Sequence, residues 1–109
     1  MRLTDVLPGL SGYINEITAD FPAALTRVIL FGSFAKGTAR VGSDIDIALV
    51  SMESWSFENR SFVRHLFDDF DCGAKLSFFY TTESGLESDS KNDANYWIRT
   101  EGTELWSRN

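Results

Sequence analysis

The chain of 109 residues is 43% hydrophobic and 14% aromatic, which predicts one packed domain over residues 1–109 and excludes a disordered chain. Its net charge of −6 excludes a general electrostatic attraction to nucleic acid, since that attraction depends on Lys and Arg. Cys72 is the single cysteine and no apolar run is long enough to span a membrane, so we expect a soluble, cytoplasmic protein without disulfides.

The first predicted element is an amphipathic helix. Apolar residues recur at spacings of three and four between residues 7 and 21. Thr4 or Asp5 is positioned to cap this helix. Pro8 fits its first turn, and Pro22 ends it.

A strand and a glycine turn come next. The apolar, β-branched run Arg27–Phe31 predicts the first strand. Gly32 follows it and permits positive φ and a close approach of the backbone to a phosphate. Ser33 offers a hydroxyl and opens the short helical turn Ser33–Lys36, whose free N–H groups attract anions.

The second predicted strand carries two carboxylates. Ile45–Val50 is an apolar run, and Asp44 and Asp46 lie two residues apart at its beginning. Because strand side chains alternate between faces, these two carboxylates project to the same side. Paired carboxylates of this kind can hold two divalent cations, and their hard oxygen atoms suit Mg²⁺ better than zinc.

The remaining elements complete an α+β domain. Ser56 is a plausible cap for a helix whose apolar stripe extends to Phe70. Ala74–Tyr80 predicts a third strand, residues 94–101 predict a helix that Gly102 ends, and Thr103–Trp106 predicts a short edge strand. This order predicts a small mixed sheet with helices packed largely on one face.

The segment from Gly32 to Asp46, taken as a whole, resembles the signature of the polymerase-β-type nucleotidyltransferase superfamily, in its minimal nucleotidyltransferase branch. The tail "YWIRTEGTELW" is similar to the closing helix, Glu-Gly turn and final strand of that family. The resemblance implies that Ser33 and the backbone at Gly32 hold the β- and γ-phosphates of ATP or another nucleoside triphosphate. It also implies that Asp44 and Asp46 hold two Mg²⁺ ions while an acceptor hydroxyl attacks the α-phosphorus and pyrophosphate leaves.

Three further polar residues lie between the turn and the aspartates. Lys36 and Arg40 are candidates for contacting phosphate oxygens, with solvated loop charges as the alternative interpretation. Ser43 precedes the aspartate pair and either orients it by hydrogen bonding or simply ends the loop.

The sequence departs from the family pattern at one place. The family has a third metal-binding carboxylate on the neighbouring strand, and the position aligned with it here is Ser77, with Lys75 as the next candidate. Neither residue is acidic. Asp71 and Glu83, at the two ends of this strand, could replace the missing acid only with a shifted register.

Two functions remain open from the sequence. The first is an enzyme that moves AMP from ATP onto a hydroxyl of a protein, an RNA or a small molecule. The resemblance implies a helical HEPN-type protein as partner, with this chain as antitoxin, and an oligomer is compatible with the sequence. The second is a degenerate member that keeps the fold and regulates a partner by contact, which the missing third acid favours.

Overall fold

The structure of the protein is a computed structural model that describes residues 3–108, with side chains from Pro8 onward. Helices and strands alternate irregularly along this part of the chain. The helices are α1 (Leu3–Ile17), α2 (Ser33–Lys36), α3 (Phe57–Leu66) and α4 (Ala94–Glu101). The strands are β1 (Leu25–Phe31), β2 (Ile45–Ser51), β3 (Leu76–Thr82) and β4 (Thr103–Ser107).

The strands form one mixed sheet in the order β3-β2-β1-β4. β1 runs antiparallel to both of its neighbours, and β2 runs parallel to β3. The prediction of an α+β domain built on a small mixed sheet is confirmed. β3 and β4 are its two edges.

Each face of the sheet has its own apolar core. The larger core lies under α1 and α3 and includes the alternate β2 residues Ile45, Ile47 and Leu49. The smaller core lies under α4, where Ile98 packs with residues that include Ala48 and Val50. The strict alternation along β2 follows from the pleat, which sends successive side chains to opposite faces. Asp46 therefore belongs to the face that α4 covers.

The beginning of α1 differs from the sequence-based expectation. The helix begins at Leu3, so Pro8 lies in its second turn and not in its first. Thr4 and Asp5 lie within the helix and cannot precede it as caps. The side chains of Thr4, Asp5 and Leu7 lie outside the described part. The helix ends at Ile17, and a 3₁₀ turn at Thr18–Asp20 leads to Pro22.

α3 is shorter than the sequence predicts, and β3 is shifted along the chain. Ser56 caps α3, because its hydroxyl accepts a hydrogen bond of 3.0 Å from the N–H of Asn59. α3 ends at Leu66, although the apolar spacing continues: Phe67 and Phe70 also pack on this core, but from the turns that follow the helix. β3 begins two residues later than expected and ends two residues later.

The last two elements agree with the sequence. α4 covers Ala94–Glu101 and is followed by Gly102, and β4 pairs with β1 as an edge strand. Asp93 caps α4, since its carboxylate accepts a hydrogen bond of 2.9 Å from the N–H of Asn95. No helix within residues 3–108 has both the length and the apolar character needed to cross a membrane.

Candidate active site

The turn after β1 is bounded by two glycines in the left-handed half of conformational space. Gly32 has φ of 74° and Gly37 has φ of 74°. Between them α2 begins at Ser33, and the N–H of Lys36 donates a 3.1 Å hydrogen bond to the carbonyl of Gly32. The N–H groups at the start of this turn have no acceptor in the preceding turn of helix, which leaves them available to a ligand.

Gly32 is in close contact with the carboxylate of Asp46. β1 and β2 pair so that Phe31 lies opposite Asp46, which brings the turn next to the aspartate. A Cβ placed on Gly32 would overlap the Oδ2 atom of Asp46 and lie 3.1 Å from its Cγ. Only glycine fits here, for the positive φ and for the space that the carboxylate occupies.

The two aspartates differ in exposure. Asp44 is exposed just before β2, and Asp46 is half-buried within it. Burial raises the pKa of Asp46, and the nearby carboxylate of Asp44 raises it further. Two carboxylates that repel each other in a partly desolvated environment suit a divalent cation. Its charge would offset both their repulsion and the cost of burying Asp46 in its ionised form.

Ser43 fixes the loop that leads into the aspartates. Its hydroxyl accepts a 2.8 Å hydrogen bond from the N–H of Arg40, and its own N–H donates a 2.9 Å bond to the Arg40 carbonyl. A cavity of about 220 Å³ opens between this loop and the turn before β3, and Ser43, Asp44 and Lys75 contribute to its lining. The loop is thus shaped by Ser43 and holds Asp44 at the rim of a cavity.

Lys36 is engaged by α4. Its ammonium lies 3.3 Å from the carboxylate of Glu101 and 5.8 Å from the centre of the Trp97 ring. Trp97 is itself 39% exposed on the outer side of α4. Sequence reasoning named Glu101 only as part of the Glu-Gly turn and missed its contact with Lys36, for which no local pattern is a signal. Lys36 therefore links α2 to α4 in this structure.

The neighbours of the aspartates on β3 are not acidic. In the parallel pairing of β2 with β3, Ser77 lies opposite Asp46. By the same register Lys75 lies beside Asp44. Within residues 3–108 no three His, Cys, Asp or Glu side chains come together as a metal site. The donor set at this site is therefore two carboxylates, which suit Mg²⁺, with one neutral hydroxyl beside them.

Glu83 and Asp71 do not replace the third acid. Glu83 follows the far end of β3, where its carboxylate accepts bonds of 2.7 Å and 3.0 Å from the guanidinium of Arg27. Six residues of extended chain, about 20 Å, separate it from Ser77. Asp71 accepts a 3.0 Å hydrogen bond from the N–H of Gly73 within the turn before β3.

The chain belongs to the nucleotidyltransferase domain family, whose model matches residues 10–93. This match covers the glycine turn, both aspartates and the first three strands. It confirms the resemblance stated from the sequence, and it supports an enzyme over a purely structural domain. No curated protein sequence matches the chain significantly.

Solved structures agree on the fold. A protein from Sulfolobus solfataricus assigned to the nucleotidyltransferases has a TM-score of 0.63 at 20% identity, over 97% of this chain and 84% of its own. A toxin–antitoxin structure with AMP-PNP has a TM-score of 0.61 at 25% identity, over 90% and 73%. The complex of tri-AMPylated Shewanella oneidensis HEPN toxin with MNT antitoxin has a TM-score of 0.55 at 19% identity, over 90% and 70%.

Alanine at Gly32 is expected to destabilise the protein more than alanine at Gly37. Both positions have φ of 74°, but only Gly32 faces the Asp46 carboxylate, and Gly37 has open space around it. We expect a loss of about 1 kcal/mol for Gly37→Ala from backbone strain and about 3 kcal/mol for Gly32→Ala from strain plus overlap. Urea unfolding of both variants measures the difference, and equal losses would contradict the close contact.

A helical glycine provides the control for this pair. Gly12 lies inside α1 with nothing within 4 Å of an added Cβ. Gly12→Ala should stabilise the protein by about 0.5–1 kcal/mol, because alanine is the better helix former.

Asp46→Asn is expected to raise the melting temperature of the metal-free protein at neutral pH. Burial and Asp44 raise the pKa of Asp46, so ionisation of this carboxyl destabilises the folded state. The free energy of unfolding of the wild-type protein should fall as the pH rises through the raised pKa of Asp46. At lower pH, where Asp46 is protonated, the two proteins should melt alike. Asp20→Asn, at an exposed position in the turn after α1, is the control and should change little. A lower melting temperature for Asp46→Asn at pH 7 would contradict the prediction.

Proposed function

We propose that this protein transfers AMP from ATP onto a hydroxyl group of a partner protein, and that this partner is a helical HEPN-type toxin which the transfer silences. The contact between Gly32 and the carboxylate of Asp46 carries the proposal. It brings the backbone of a phosphate-binding turn and a metal-binding carboxylate together, which is what phosphoryl chemistry by positioning and charge stabilisation requires.

The residues of the turn bind and orient the triphosphate in this proposal. The hydroxyl of Ser33 and the free N–H groups beside it hold the β- and γ-phosphates. Ser43 keeps the loop before β2 in place, so that Asp44 faces the same ligand. Lys36 contributes to phosphate binding only after it exchanges its ion pair with Glu101 for the nucleotide.

Asp44 and Asp46 would hold the divalent cation, with Mg²⁺ as the ion that fits their oxygen atoms. When bound, it supplies neutralisation of phosphate charge and activation of the acceptor hydroxyl. The raised pKa of Asp46 means that its ionised form is disfavoured in the folded protein, and a bound cation would stabilise that form.

The choice of acceptor rests on the structural neighbours. One of them is a toxin–antitoxin structure with AMP-PNP, and another contains an AMPylated HEPN toxin with its MNT antitoxin. Both neighbours combine an antitoxin with a toxin, which supports a separate protein as the acceptor.

A label-transfer experiment tests this function. ATP labelled at the α-phosphorus and Mg²⁺ are incubated with the purified protein and a HEPN-type protein from the same source. Label should move to the HEPN-type protein, and Asp44→Asn or Asp46→Asn should reduce the rate at least a hundredfold. Mg²⁺ and ATP together should also raise the melting temperature of the wild-type protein and leave that of Asp46→Asn unchanged. Label that moves equally with the intact and substituted aspartates would refute the proposal.

The second candidate function is a degenerate domain that binds its partner without transfer. The observation in its favour is Ser77, which occupies the position beside Asp46 where a third acid is expected. Ser77→Asp separates the two functions. An active enzyme should gain rate and bind Mg²⁺ more tightly with the added carboxylate. A domain that shows no transfer with either serine or aspartate at this position, yet still binds the HEPN-type protein, fits the second function.

A further inference from the structure

The two edges of the sheet are protected very differently. β4 has only five residues, carries the charged side chain of Glu104 and pairs with β1 through a register irregularity. β3 has seven residues, "LSFFYTT", with no charge, proline or glycine, and it pairs with β2 in unbroken register. Proteins usually protect a sheet edge with charges, prolines or bulges, because an open edge recruits another strand. β3 has none of these protections.

The outer side of β3 presents free backbone groups. The N–H of Ile45 donates to the carbonyl of Lys75 at one end, and the N–H of Glu83 donates to the carbonyl of Ser51 at the other. In a parallel pair alternate residues turn both backbone groups to the same neighbour. Odd-numbered residues of β3 therefore bond to β2, and Phe78 and Tyr80 direct their N–H and C=O groups outward.

A basic groove runs along this edge. A cavity of about 340 Å³ lies between α3 and Tyr80, lined in part by Arg60 and Arg64. A second cavity of about 190 Å³ continues from Arg64 and Tyr80 toward Lys75. We call these two cavities and the outer side of β3 the β3 groove. Its three cations form no ion pair within the described residues, whereas the whole chain has a net charge of −6.

The charges select among possible occupants. A second copy of this chain, paired through β3, would bring two sets of Arg60, Arg64 and Lys75 together and would be repelled. A nucleic acid would find the cations but has no backbone groups spaced to match Phe78 and Tyr80. An extended acidic peptide matches both features, since its backbone continues the sheet and its carboxylates meet the cations.

We propose that the β3 groove binds an extended, acidic segment of the partner protein as an additional strand of the sheet. Ser77 lies on this strand opposite Asp46, so the bound segment would run beside Ser77, two strand spacings or about 10 Å from the strand of the aspartates. This inference rests on the proposed function, because it assigns the surface that brings the acceptor hydroxyl to the transfer site.

Hydrogen exchange with a designed peptide tests the groove. The probe is a twelve-residue peptide of alternating Glu and Val, and the matched control is the same peptide with Lys in place of Glu. At saturation the acidic peptide should slow the exchange of the Phe78 and Tyr80 amides at least tenfold. The amides of Ser77 and Phe79 already bond to β2 and should change far less. Equal protection by both peptides, or none by the acidic one, would overturn the proposal.

Charge reversal identifies the groove as the binding surface. Arg64→Glu should weaken binding of the acidic peptide at least fivefold, measured by fluorescence anisotropy. Lys91→Glu reverses an exposed lysine in the loop before α4, which lines neither cavity of the β3 groove, and should change the affinity less than twofold. Two further results would overturn the proposal: tighter binding of a twelve-nucleotide oligouridylate, or protection of the same amides by self-association at high protein concentration.

The same variant distinguishes failure of this inference from failure of the proposed function. Arg64→Glu lies outside the turn and the aspartates, so the rise in melting temperature with Mg²⁺ and ATP should equal that of the wild-type protein. If the wild-type protein responds to Mg²⁺ and ATP but does not bind the acidic peptide, the proposed function is supported and the β3 groove is refuted as a peptide site. If it binds the peptide but shows no response to nucleotide, the proposed function is refuted and the β3 groove remains a peptide-binding surface.

Discussion

The contact between the Asp46 carboxylate and the backbone of Gly32 is the constraint on which the rest of this structure depends. It depends on the register of β1 against β2, in which Phe31 lies opposite Asp46 and the turn after Phe31 reaches the carboxylate. It also explains the positive φ of Gly32, because only a residue without a side chain can adopt that conformation and leave this space to its neighbour. In the proposed function, this contact joins the turn that would bind phosphate and the carboxylate that would bind a cation into one site.

Ionised Asp46 destabilises the folded protein, and the two apolar cores of the sheet offset this cost. Asp46 is half-buried, next to Asp44, and its neighbours along β2 are buried in the cores on the two faces. A strand held this firmly from both sides can carry a carboxylate in an unfavourable environment, which is common at functional sites. Ser77 lies opposite Asp46 on β3, so in the proposed function it would add a neutral hydroxyl, and no third charge, beside the cation.

In the two proposals, β3 connects the chemistry of the site to recognition of a partner. Its inner side pairs with the strand of the aspartates, and its outer side is an edge of the sheet next to Arg64 and Lys75. The acidic surface elsewhere makes this groove electrostatically distinct. Under the two proposals, the sheet edge would position the acceptor, with main-chain pairing for affinity and charge for selectivity.

The sequence by itself determined the α+β class, the strands on both sides of the turn, the cap of α3 at Ser56 and the family, because these depend on local patterns of few residues. The sequence also predicted Ser77 in place of a third acid, and in the structure Ser77 lies opposite Asp46. Only the tertiary structure decided the end of α3 at Leu66, since Phe67 and Phe70 continue the apolar spacing from outside the helix. The ion pair of Lys36 with Glu101 and the open edge of β3 beside Arg64 also depend on it. These features join residues far apart in the chain, and local periodicity carries no information about which strand lies at an edge or which charges meet across it.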